Sequence, residues 1–192
     1  MKQAGIEIRT KKAFSIQPWS GGTTTELYMH PVKGSYAQRI FDFRLSMATI
    51  EVEHSEFTPL PGISRKTLIL DGEIQLQHEG QEPFFVRKHE VAQYDGGWQT
   101  SSVGKCTDFN LMTQGSTKGE LEGRILEKGE QVVLPRSEHA FVYVHTGRIA
   151  VISGVTAEVV EEGSLLKADT SSALIILKAL EPTEIVLVQV QS

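Results

Sequence analysis

The chain has 192 residues, 40% of them hydrophobic and 22% charged, with 17 Gly, 7 Pro, six His and a single Cys. That length suits one large domain or two small ones burying roughly 70% of the unfolded surface, which excludes disordered and fibrous architectures. One cysteine excludes an internal disulfide and a Cys-rich zinc site, and a net charge of -5 hints at no basic face for a nucleic acid.

From Met1 to Phe14, Lys2, Arg9, Lys11 and Lys12 are scattered among polar residues, with no apolar stretch of the kind a secretory signal needs. The tract Gly21-Gly22-Thr23-Thr24-Thr25 reads either as a small anion nest or as a tight turn entering a strand. Phe41 to Ile50 alternates strictly. Phe41, Phe43, Leu45 and Met47 share one face, and Asp42, Arg44, Ser46 and Ala48 share the other. That polar face is either a wet outer surface or the lining of a barrel interior.

Further strands are expected over Lys66 to Leu70, Glu73 to Gln77, Phe84 to Arg87, Phe109 to Met112, Phe141 to Val144, Arg148 to Ile152, Ala173 to Leu177 and Glu184 to Val190. Asp71-Gly72 and Thr146-Gly147 each separate two runs, as hairpin turns or as bulges. Gln114 to Gly123 is polar and Gly-rich and reads as a linker or crossover. No segment has a long helical period, and the longest apolar runs fall far short of the roughly 20 residues of a membrane helix. A cytoplasmic protein with no membrane partner is expected.

Internal repetition sharpens this pattern. Leu68 to Ile74 answers Tyr143 to Ile149, Val91 to Asp95 answers Leu165 to Asp169, and Thr107 to Met112 answers Glu184 to Gln189, all at an offset of about 75 residues. Two copies of one β-unit, each a jelly-roll barrel of the cupin kind, are expected, spanning 1–114 and 115–192.

Many cupins bind metal through G-x5-H-x-H-x(3,4)-E-x6-G, and that motif can be tested slot by slot. With Gly72 as the closing glycine, the glutamate slot holds Arg65 and the histidine slots fall within Thr58 to Pro61. With Gly147, the slots hold Ala140 and residues within Val133 to Arg136. Neither set is a metal site, so no metal and no cofactor are expected. His139 and His145 lack a carboxylate at ligand spacing, and His145, in phase with Phe141 and Tyr143, reads as a core or rim residue. His30, His54, His78 and His89 read as solvated side chains, and Cys106 as a small buried residue.

A guanidinium in place of a carboxylate ligand inverts the preference of the slot from cation to anion. Arg44, Ser46 and Arg65 would face one interior, joined by Asp108 and Asn110, which are in phase on their strand. A small acidic ligand is therefore expected.

Four blocks in order, Trp19-Ser20-Gly21-Gly22-Thr23-Thr24-Thr25-Glu26, Phe43-Arg44-Leu45-Ser46-Met47-Ala48, Phe57-Thr58-Pro59-Leu60-Pro61-Gly62-Ile63-Ser64-Arg65 and Asp108-Phe109-Asn110-Leu111-Met112, resemble the HutD/Ves family. The resemblance implies an all-β bicupin, usually without cupin metal ligands and associated with bacterial histidine utilisation. It implies a ligand such as N-formylglutamate or urocanate and a role in regulating flux. Carried over by position, it makes Trp19, Thr24, Glu26, Arg44, Ser46, Arg65 and Asn110 the pocket of the first barrel. Here Trp19 is followed directly by Ser20-Gly21-Gly22, so the first loop is shorter than the family's W-x-N-G-x-G-x-T-x-E and lacks its Asn. The expectation is a binding protein for a small carboxylate metabolite, with a homodimer left open. The alternatives are a metal-independent isomerase or hydrolase with Glu26 or Asp108 as general base, and an interaction scaffold with a filled barrel.

Overall fold

A computed structural model describes residues 5–170 and 173–191, so the first four residues of the Met1 to Phe14 stretch lie outside the described residues. Apart from one 3-10 turn, Lys11–Ala13, the regular structure among the described residues is all strand. The first strands are β1 (Ile6–Arg9), β2 (Ser15–Trp19), β3 (Gly22–His30), β4 (Phe43–Ile50), β5 (His54–Phe57) and β6 (Ile63–His78). After them come β7 (Phe84–Arg87), β8 (Val91–Asp95), β9 (Thr100–Val103), β10 (Cys106–Gln114), β11 (Lys118–Leu126) and β12 (Gln131–Val133). The last are β13 (His139–Thr146), β14 (Arg148–Ser153), β15 (Thr156–Glu161), β16 (Leu165–Ala168), β17 (Ile175–Ala179) and β18 (Thr183–Gln191).

The chain divides into two compact units. One comprises Ser15–Lys118, and the other joins the described residues up to Phe14 to Gly119–Gln191. The expected division at 1–114 and 115–192 differs from this by the first strand, because β1 pairs with β16 of the later sequence, Ile6 opposite Ala168. Gln114 to Gly123 is mostly strand rather than linker, since β10 runs to Gln114 and β11 starts at Lys118. Its glycines and charges misled because β11 is largely exposed and needs few apolar residues.

In the earlier unit the strand order is β2-β3-β4-β10-β6-β9-β5, with β7 and β8 also on β6. No hairpin forms at Asp71-Gly72. The two expected runs fuse into the 16-residue β6, whose first half pairs with β8 and β10 and whose second half pairs with β7 and β9. The switch of partners is made by a bulge, where the register against β10 slips between Thr107 and Asp108 so that Leu70 has no partner. Gly72 follows at φ +81°, and a Cβ there would lie 2.5 Å from the Lys105 carbonyl oxygen. Gly72→Ala is expected to cost ~1–3 kcal/mol through this clash and the left-handed backbone. Urea denaturation measures it, and an unchanged midpoint would show that β6 can bend without the glycine.

The other unit reproduces the device. β13 pairs with β16 and β18, and β14 with β15 and β17, in sheets ordered β1-β16-β13-β18-β11 and β12-β17-β14-β15. The slip against β18 leaves His145 as the bulged residue, and Gly147 follows at φ +77°. His145 is therefore a half-buried bulge residue, out of step with Phe141 and Tyr143. Core packing here is apolar, from Val142, Val144, Ile149, Val151, Leu166, Leu177 and Ile185 among others. Among the described residues no helix is long and apolar enough to cross a membrane.

Candidate functional site

In the earlier unit, period-2 alternation on four adjacent strands brings the polar breaks in the apolar pattern into rows. Glu26 stands opposite Ser46, Ser46 opposite Asn110, and Asn110 opposite Thr67. In the next row Arg44 faces Met112, Met112 faces Arg65, and Arg65 faces Tyr94. A neighbouring row sets Thr24 beside Ala48 and Ala48 beside Asp108. The opposite face of β4 and β10 carries Phe43, Leu45, Phe109 and Leu111, all essentially fully buried. Arg44 is itself only 5% exposed, so its face is an interior lining and not a wet outer surface.

These rows line a cavity of about 250 Å³. Trp19, Thr24, Arg44, Ser46, Arg65, Asp108 and Asn110 are all in its wall. Glu26, the remaining expected residue, stands behind the wall, where its Oε2 accepts from Arg44 Nε at 2.9 Å. Trp19 ends β2, and the two-residue turn Ser20-Gly21 leads into β3 with Trp19 opposite Gly22. Thr23, Thr24 and Thr25 thus belong to a strand and not to an anion nest. Gly21 lies against the Trp19 ring, where a Cβ would collide with it at 2.2 Å.

The two arginines are held differently. Arg44 donates to Glu26 and, through Nη1, to Ser46 Oγ at 3.1 Å, and its guanidinium stacks on the Tyr36 ring at 4.2 Å. Arg65 lies between the Phe57 and Tyr94 rings, 5.4 and 5.3 Å from their centroids, and its Nε is buried without a hydrogen-bond partner. The Nε1 of Trp19 is likewise buried and unpartnered.

Asp108 closes the cavity at 3% exposure. Its Oδ1 accepts from Asn110 Nδ2 at 2.5 Å, Asn110 Oδ1 accepts from Thr67 Oγ1 at 2.8 Å, and the Tyr94 hydroxyl lies 3.4 Å behind Thr67. Because Thr67 spends its proton on Asn110, Tyr94 is the donor to Thr67, and every link of the chain is polarised towards the carboxyl. Burial nonetheless pushes the Asp108 carboxyl up to about 6, against the lowering effects of Arg65, Asn110 and the Ala48 backbone. The folded protein therefore keeps this proton to higher pH than the unfolded chain does. The resulting stabilisation is complete below about pH 4 and is lost as pH rises through about 6, a swing of ~3 kcal/mol. Asp108→Asn should remove that slope from the pH dependence of urea stability, and parallel profiles would contradict the assignment.

Sequence reasoning missed Tyr36, Glu56 and Phe57 in the wall and Thr67 and Tyr94 behind it. Thr67 carried a signal in its strand phase with Arg65, and Tyr94 in its phase with Ala92, whereas Tyr36 sits outside any strand. Among the described residues no three His, Cys, Asp or Glu side chains gather as metal ligands. Cys106 is buried, and burial together with the Asp108 charge pushes its thiol up to about 12, which makes it a poor nucleophile.

His54 is exposed as expected, but the other three histidines read as solvated are not. His78 is 2% exposed, bonded through Nδ1 to Thr100 Oγ1 at 2.9 Å and packed on Tyr94 and Trp98, and burial lowers its pKa. His30 is half-buried with its ring 5.3 Å from Phe43, and His89 is half-buried at φ +67°. Polar flanking sequence hid an inward strand position in the first case and packing in the others.

With the two bulges aligned, the positions of Arg65, Asp108 and Asn110 are answered by Ala140, Ile185 and Leu187, all buried and apolar. The repeat has kept the strand plan in the later unit but not this chemistry.

An all-β chain with bulged strands and a polar lining of this kind belongs among cupin and pirin folds, and solved structures agree. A conserved protein of unknown function from Pseudomonas aeruginosa PAO1, PA5104, superposes with a TM-score of 0.85 at 20% identity, covering 97% of this chain and 99% of that one. HutD from Pseudomonas fluorescens SBW25, solved in a formate condition, gives 0.75 at 19% identity over 98% and 100%. The Escherichia coli pirin YhhW in complex with nickel(II) gives 0.71 at 13% over 95% and 97%. The chain belongs to the HutD family, whose model matches residues 11–183. No curated protein matches the sequence.

Proposed function

We propose that this HutD family protein is a cytoplasmic bicupin whose earlier barrel binds a small carboxylate, with N-formylglutamate and urocanate as the candidate intermediates of histidine utilisation, in a regulatory or flux-governing role. The matched strand partners on either side of Gly72 and Gly147 support two barrels of one plan. The observation that carries the ligand class is Arg65. A guanidinium stands where a metal-binding cupin has its glutamate, in a cavity wall, with its buried Nε–H unpartnered. An anion is what such a group lacks. Binding of Trp19, Thr24, Arg44, Ser46, Arg65, Asp108 and Asn110 to the ligand is part of this proposal, with Glu26 holding Arg44.

The test is thermal: N-formylglutamate or urocanate should raise the melting temperature of the wild type, and the shift should vanish in Arg65→Met. Equal shifts in both proteins would remove the pocket from consideration. A second reading, a metal-independent isomerase or hydrolase, draws on Asp108, whose carboxyl near 6 has the proton affinity of a general base working near neutral pH. Absence of turnover when concentrated protein is incubated with the same compounds would eliminate it.

A further inference from the structure

Charge around the cavity narrows the kind of carboxylate that fits. Arg44 is already matched by Glu26, Ser46 and the face of Tyr36. Arg65 is not. Against these two cations stand three carboxylates, Glu26 on Arg44 and Glu56 and Asp108 in the wall itself. The surroundings are therefore neutral to slightly negative before any ligand enters, although two arginines alone suggest room for two anions.

A ligand with one carboxylate brings one charge to the one guanidinium without an anionic hydrogen-bond partner. A second carboxylate would be set against Glu26, Glu56 or Asp108 inside a partly desolvated space, where like charges repel strongly. The polar atoms divide in the same way. Arg65 Nε and Trp19 Nε1 are donors without acceptors, which an incoming carboxylate would satisfy. Asp108 uses Oδ1 for Asn110 and, with Glu56, has acceptor capacity left for a donor on the ligand. Trp19, Tyr36 and Phe57 add flat walls.

We infer that the site selects a flat monocarboxylate bearing an N–H donor and discriminates against dicarboxylates, with Arg65 taking the carboxylate and the Asp108 and Glu56 carboxylates taking the N–H and repelling a second anion. This rests on the carboxylate-pocket reading above, and calorimetric titration at pH 7 separates the two. The probes are urocanate, with one carboxylate and a ring N–H; cinnamate, with the same acrylate arm and no N–H; and N-formylglutamate, with two carboxylates. Urocanate is expected to bind at least tenfold more tightly than either of the others. In Asp108→Asn its advantage over N-formylglutamate should shrink at least tenfold. If N-formylglutamate binds as well as urocanate, and Arg65→Met still abolishes it, the charge argument is overturned and the pocket reading stands. Equal affinity for urocanate and cinnamate overturns the donor requirement. Binding of none of the three by the folded wild type overturns the pocket reading, and this inference with it.

Discussion

Arg65→Met is expected to abolish binding of a small carboxylate at a smaller cost to the stability of the free protein than Arg44→Met, which should lose binding and stability together. The reason is the difference in what each guanidinium already does. The buried Nε–H of Arg65 has no acceptor, so a thioether of similar length removes an unmet donor and keeps the packing between Phe57 and Tyr94. Relief of such a group is worth ~1 kcal/mol, which offsets part of the attraction to the Asp108 carboxylate that the substitution also removes. The same change deletes the charge that the ligand needs, and losing a charge-assisted bidentate pair costs ~2–5 kcal/mol, a loss in affinity of about thirtyfold or more. Arg44→Met instead strips Glu26 and Ser46 of their donor and Tyr36 of its cation. Glu26 is over a third exposed on its side chain, so water recovers part of that loss and ~1–3 kcal/mol is expected. Urea denaturation and calorimetric titration of both variants check the pair of outcomes. Equal destabilisation by the two substitutions would mean that Arg65 is a structural cation.

Phe109→Ala should be the most damaging single change on the site's own strand, at ~3–5 kcal/mol. Phe109 is fully buried and lies between Asp108 and Asn110 in sequence, on the opposite face of β10. That strand is paired on both sides, to β4 and β6, so a cavity beneath it disturbs the rows that hold Ser46, Asn110 and Thr67 in line. Affinity for a carboxylate should therefore fall with stability, although Phe109 touches no ligand in the proposed pocket. Thr107→Ala, only half-buried and on the same strand, serves as the control. A loss under ~1 kcal/mol in Phe109→Ala would show that the core closes over the gap.

How much of this could be read from residues alone depended on where the signal was periodic. Phe43 to Met47 announced a two-faced strand, and the same alternation placed Arg44 and Ser46 together, but only the pairing of β4 with β10 shows that the polar face is interior. Arg65 was legible because a fixed spacing from Gly72 marked its slot. The bulges were half legible: Asp71-Gly72 and Thr146-Gly147 are turn-forming pairs in isolation, and their role as switches of partner depends on strands distant in sequence. β2 and β3 were hidden by their composition. Ser15–Trp19 is mostly exposed, and Gly22–Glu26 points Thr side chains to both sides, so neither alternates in hydrophobicity. The charge balance was out of reach altogether, since nothing local in Glu26 says that it will pair with Arg44, nor in Glu56 that it will line the same cavity.

β1 has a consequence for how the chain can be made. Its four residues find their partner in Leu165–Ala168, so during synthesis this strand leaves the ribosome well before β16 exists. At about 5–20 residues per second the wait is roughly ten to thirty seconds, during which Ser15–Lys118 can complete its own sheet. Until then Ile6 and Ile8 have no apolar surface of their own unit to cover. A bulky tag fused ahead of Ile6 would thus register as slow folding and aggregation of the residues made last.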